Sequence, residues 1–85
     1  MVTIPVIASF DTQGHLIPLY IRIHQTKLEV ESYWLKPSTY REVLFCCKVN
    51  DGYREQIIDV YYNISQMTWS TPDYNLTSQL SDHSP

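Results

Sequence analysis

From Lys27 to Trp34 the chain alternates without a break. Leu28, Val30, Ser32 and Trp34 fall on one side, and Lys27, Glu29, Glu31 and Tyr33 on the other. A period of two, with charge on one side only, suits a half-buried strand. A helix returns to the same face about every 3.6 residues and would scatter these apolar positions. Shorter stretches repeat the pattern: Ile4, Val6, Ala8 and Phe10; Ile17, Leu19, Ile21 and Ile23; Val43, Phe45, Cys47 and Val49; Ile58, Val60 and Tyr62. No segment of comparable length has helical spacing, and Ala8 is the chain's single alanine.

Turn residues separate these stretches. Asp11-Thr12-Gln13-Gly14 follows the first, His24-Gln25-Thr26 the second and Lys36-Pro37-Ser38-Thr39 the third. Asn50-Asp51-Gly52 is the strongest hairpin signal, because Asp-Gly supplies the positive φ angles of a tight turn. Asn63 to Gln66 precedes a short closing stretch, Met67 to Trp69. Pro18 has no N–H to give a ladder, so its strand is predicted to be an edge or to be bulged there.

The expected fold is all-β: one antiparallel meander of five to six strands, curled into a small SH3-like barrel or a strongly bent sheet. Its predicted core is Val6, Phe10, Leu19, Ile21, Val30, Trp34, Phe45, Val49, Ile58, Val60 and Trp69. Residues 1–69 form the domain. Residues 70–85 are rich in Ser, Thr, Asp, Asn and Pro without Lys or Arg, and are predicted to be a disordered acidic tail.

With 85 residues there is room for one small core and little for a deep, walled active site. The net charge is −3; residues 1–69 hold all six basic residues against seven of the nine acids. A nearly neutral body has no general pull on phosphate backbones. No apolar run approaches the ~18 residues of a membrane helix, and no secretory signal is visible. The expected compartment is the cytoplasm, where the sequons at Asn63 and Asn75 would stay unmodified.

Chemistry-bearing residues are few. Cys46 and Cys47 are adjacent, so on a strand they point to opposite faces and cannot readily bridge. They lack the CxxC spacing of a zinc site; Cys47 is expected buried and Cys46 half-exposed, with no metal or cofactor. His15 and His24 border turns, where an exposed histidine is ordinary, and no catalytic residue is assigned. Glu29 and Glu31 would lie side by side on the wet face, balanced by a basic residue of a neighbouring strand. Tyr20, Tyr33, Tyr40, Tyr53 and Tyr61, interspersed with Arg22, Arg41 and Arg54, suit a contact surface for protein or for stacked bases.

The run Ile4 to Pro18, with Asp59-Val60-Tyr61-Tyr62 and Trp69 downstream, resembles a class of short bacterial proteins of unknown function. In these a hairpin of the form V-x-F-D-x-x-G-x-x-x-P opens a small β structure and a Y-Y…W hairpin closes it. The resemblance covers most of residues 4–69. Some members are encoded near DNA-repair polymerases, which implies an accessory role and assigns no functional residue.

These readings lead to a non-enzymatic, monomeric module that binds a protein partner. Its surface would be one contiguous patch containing Ile7, Tyr20, Arg22, Leu44 and Tyr61, or an unpaired edge near Pro18. The alternative, single-stranded nucleic-acid binding, requires Arg22, Arg41 and Arg54 to converge beside exposed tyrosines. An enzyme would need a pocket holding His15 or His24 with a carboxylate or thiol.

Overall fold

A computed structural model describes residues 1–37 and 39–73. The predicted tail therefore lies mostly outside the described residues. Seven antiparallel strands form one curled, half-barrel sheet: β1 (Val2–Thr3), β2 (Val6–Phe10), β3 (Leu16–Ile23), β4 (Thr26–Lys36), β5 (Glu42–Asn50), β6 (Glu55–Asn63) and β7 (Thr68–Thr71). Their order across the sheet is β1-β7-β6-β5-β4-β3-β2. Among the described residues no helix is long and apolar enough to cross a membrane.

The outermost strands, β1 and β2, are consecutive in the chain. The expected first strand begins only at Val6, and β1 lies upstream of it across Ile4-Pro5, so one more strand is present than the alternation suggests. Ile4 donates its N–H to Trp69 O (2.9 Å), and Pro5 O accepts the N–H of Arg22 (3.1 Å). The linking residues thus bridge the two sides of the sheet. At the other end of the first hairpin the sheet stays open.

Most turns follow the sequence, but Asp51–Arg54 form a wider loop than the tight Asp-Gly turn expected, with positive φ at Gly52 and not at Asp51. His24 and Gln25 both have positive φ (50° and 65°), the requirement for a two-residue turn that follows strand twist. Gly52 (φ 102°) and Gly14 (φ 83°) take left-handed positions in the turns after β5 and β2. β7 runs on to Thr71, two residues past the expected end of the domain. Thr71 is buried, and its Oγ1 donates to Asp59 O (2.8 Å).

Phe45, Val49, Ile58, Val60, Ile21, Ile23, Leu28 and Cys47 form the core, with Ile4 and Trp69 at its border. Phe45 joins an aromatic chain, edge-on to Tyr33 (centroids 5.7 Å) and tilted against Trp69 (5.4 Å), which meets Tyr62 (4.9 Å).

Three predicted core residues are exposed instead: Leu19, Trp34 and Phe10. Two β-bulges explain the first two. In β3, Ile7 of β2 pairs with Tyr20 and Ala8 with Pro18, so Leu19 is an extra residue. Pro18 is thereby buried; its strand is bulged there, and the stretch Leu16–Pro18 pairs with β2 alone. In β4, Val30 pairs with Val49 and Ser32 with Lys48, so Glu31 is extra. One extra residue exchanges the two faces from that point on. Hence Tyr33 turns inward and Trp34 outward. Phe10 keeps the inward phase of Val6 and Ala8 but projects beyond the core at the open end.

Candidate functional site

The bulges mark the place where two strands part. β3 and β4 pair only from Ile23–Thr26 to Tyr20–Glu29. Beyond that point Leu16–Ile17 and Pro18 bond only to β2, and Val30–Lys36 only to β5. A cleft opens between the first hairpin and the outer half of β4. It is a groove of about 520 Å³ whose floor is Tyr33, Val43, Phe45 and Tyr62. Phe10, Leu35 and Ile64 stand on its rim, 67%, 62% and 49% exposed. Leu35 reaches the groove because the Glu31 bulge gives it the phase of Tyr33.

One polar pair sits at the mouth. His15 Nδ1 lies 3.0 Å from Asp11 Oδ2, while Asp11 Oδ1 accepts the N–H groups of Gln13 and His15 (both 2.8 Å). These bonds, the His15 N–H foremost, hold the Asp11 carboxyl below its usual range. The pair orients an imidazole beside an apolar groove whose lining has no Ser, Thr, Cys or Lys. The arrangement suits an apolar group held under a hydrogen-bonding rim.

The expected single patch is split in two. Ile7 and Tyr20 are cross-strand partners on the outer face, next to Arg22. Leu44 and Tyr61 are partners on β5 and β6, both half-buried. Tyr20 pairs with Glu29 and Leu44 with Lys36. At ~3.3 Å per residue along β4, the two groups stand roughly 20 Å apart. The three arginines do not converge either. Arg22 pairs with Lys27, whereas Arg41 immediately precedes β5 at the groove end, where its carbonyl accepts the Ile64 N–H (2.9 Å). Arg41 lies against the exposed Tyr40 ring, and Arg54 follows the β5–β6 turn.

Comparison of the chain with protein-family models, curated proteins and solved structures finds no match.

The remaining candidates are placed as follows. Cys46, expected half-exposed, is buried between its cross-strand partners Trp34 and Asp59. Burial foremost, then a hydrogen bond to Asp59, pushes its thiol pKa up. Burial drives Cys47 up to about 12, and both thiols are free. Neither is poised as a thiolate nucleophile. Among the described residues no group of three His, Cys, Asp or Glu could hold a metal ion. Glu31 is the bulged residue of β4. It meets Glu55 and accepts from Asn50 Nδ2 (3.2 Å), while Glu55 pairs with Lys48 (3.4 Å). Its hydrogen bond to Glu55 raises the Glu31 pKa, and the same bond lowers that of Glu55. Period-two alternation does not mark Leu35 or Ile64 as groove residues. An isoleucine within a polar turn was the one available signal.

Proposed function

We propose that this chain is a non-enzymatic interaction module that takes up an extended peptide of a protein partner in the groove between β3 and β4. The carrying observation is the parting of those strands beyond Tyr20–Glu29, which leaves Ser32–Lys36 hydrogen-bonded on one side only. A peptide adding to that edge gains main-chain hydrogen bonds, and every second side chain would drop into the groove. The aromatic floor and the exposed Phe10, Leu35 and Ile64 favour large apolar residues at those positions. The His15–Asp11 pair supplies a polar contact at the rim. An accessory role, as in the bacterial proteins the chain resembles, is compatible with such a module.

The test is selection from a displayed library of random peptides against the intact chain, with Phe10→Ser as the counter-target. Sequences with large apolar residues at alternate positions should be enriched and should bind Phe10→Ser at least tenfold more weakly. No enrichment over Phe10→Ser would end the peptide reading. Concentration-dependent dimerisation through the same edge would assign the groove to a second copy instead.

A further inference from the structure

On the outer face, away from the groove, Arg22 of β3 and Lys27 of β4 are direct cross-strand partners. Like charges in that position repel and destabilise a sheet unless something neutralises them. Elsewhere the fold supplies partners: Lys36 meets Asp59 (3.5 Å) and Lys48 meets Glu55 (3.4 Å). Among the described residues, Arg22 and Lys27 have no ion pair. Glu29 stands two places along β4, opposite Tyr20, and pairs with neither. Lys27 instead leans over the Tyr20 ring, its Nζ 4.2 Å from the centroid. The two cations border a hollow of about 280 Å³ whose other lining residues are Pro5, Val6, Ile7, Tyr20 and Ile21. Ile7, beside Tyr20, is 60% exposed.

We infer that this hollow is a binding site for a small phosphate monoester carrying a planar, weakly polar body, a mononucleotide being the simplest example. Two unneutralised cations match the near-double negative charge of a monoester at neutral pH better than the single charge of a carboxylate. The Arg22 guanidinium offers the planar fork that grips phosphate oxygens in pairs. As the anion draws the Lys27 ammonium toward Arg22, the Tyr20 ring face is freed to stack on the planar body. Ile7 and Pro5 provide the apolar wall against its edge. The site is held rigidly, because the Arg22 N–H is bonded to Pro5 O (3.1 Å) where the two sides of the sheet are bridged. It is independent of the groove and of the peptide reading.

Amide chemical-shift titration of the full chain with a nucleoside 5′-monophosphate tests this, with inorganic phosphate and the uncharged nucleoside as separate arms. Saturable shifts should concentrate at Ile7, Tyr20, Arg22 and Lys27, with millimolar or tighter affinity. Both control arms should be at least tenfold weaker, and raising salt should weaken the nucleotide. Arg22→Gln and Lys27→Gln, both exposed and expected to retain a dispersed spectrum, should each reduce affinity tenfold or more. Equal binding of inorganic phosphate, shifts that do not saturate, or unchanged affinity in both variants would overturn the proposal.

Discussion

Asn50 donates from Nδ2 to Oε2 of Glu31 across 3.2 Å, fastening the extra residue of β4 to the end of β5. That residue decides which aromatic side chain enters the core. Without it Trp34 would continue the inward series of Leu28 and Val30, and Tyr33 would face water. With it, Tyr33 packs on Phe45 and Trp34 is 45% exposed.

The two tryptophans therefore differ sharply, and single-tryptophan variants read the difference. Trp69→Phe, which leaves Trp34, should emit to the red and be readily quenched by acrylamide. Trp34→Phe, which leaves the buried Trp69, should emit to the blue and resist quenching. On stability, Trp69→Ala should cost about 3–5 kcal/mol, as large-to-small core changes do, and Trp34→Ala on the order of 1 kcal/mol. The opposite pattern in fluorescence would mean that β4 alternates unbroken and that the groove does not form.

The fold class was legible because the alternation and the Gly- and Asp-containing turns are local signals. Phe45, Val49, Ile58 and Val60 lie on strands without bulges, and period-two reasoning puts them in the core, where they are found. The bulges were not legible. Glu31 sits inside the cleanest alternation of the chain, and nothing local marks it as the residue to be looped out. Its place follows from pairing with β5, a contact about twenty residues away. Pro18 did give warning of the β3 bulge and of the unpaired stretch beside it, since a proline in a sheet is confined to edges and bulges. The groove inherits the same difficulty. It exists because β3 and β4 part beyond Tyr20–Glu29, which no local pattern marks, so Leu35 carried no mark of its role and Ile64 only its place in a polar turn. The hollow beside Tyr20 was more accessible, because Ile7, Tyr20 and Arg22 already stood together in the expected contact patch.

The β3–β4 turn stores removable strain. Gln25 occupies φ 65°, a left-handed position that costs an L-residue with a side chain roughly 1–2 kcal/mol and that glycine adopts freely. Part of that gain is lost to the greater entropy of glycine in the unfolded chain. Gln25→Gly should therefore stabilise the protein by about 0.5–1 kcal/mol, measured by urea unfolding with an unchanged slope. A loss of stability would mean that the Gln25 side chain contributes contacts outweighing the strain.

Acid should loosen the turns at Asp11 and Asp51 before it unfolds the sheet. The Asp11 carboxylate accepts from the backbone of His15 and Gln13, and Asp51 from Tyr53 and Arg54, so both pKa values fall below the ordinary 3.8. A lowered folded-state value means that the unfolded chain binds the proton more readily. The contribution of each aspartate is complete above 3.8 and disappears as pH drops through the lowered value. Glu31 has the opposite sign. Its pKa is raised from 4.5, so the folded chain takes up its proton first, at a pH where both aspartates are still charged. Carboxyl-carbon titration by NMR should find Glu31 above 4.5 and Asp11 and Asp51 below 3.8. Hydrogen exchange of the Gln13, His15, Tyr53 and Arg54 amides, corrected for its intrinsic pH dependence, should lose protection only below pH 3.8. In Asp11→Asn the acid-dependent loss at Gln13 and His15 should vanish while that at Tyr53 and Arg54 remains. Simultaneous loss at all four amides in both proteins would show that acid acts on the whole sheet and not on its turns.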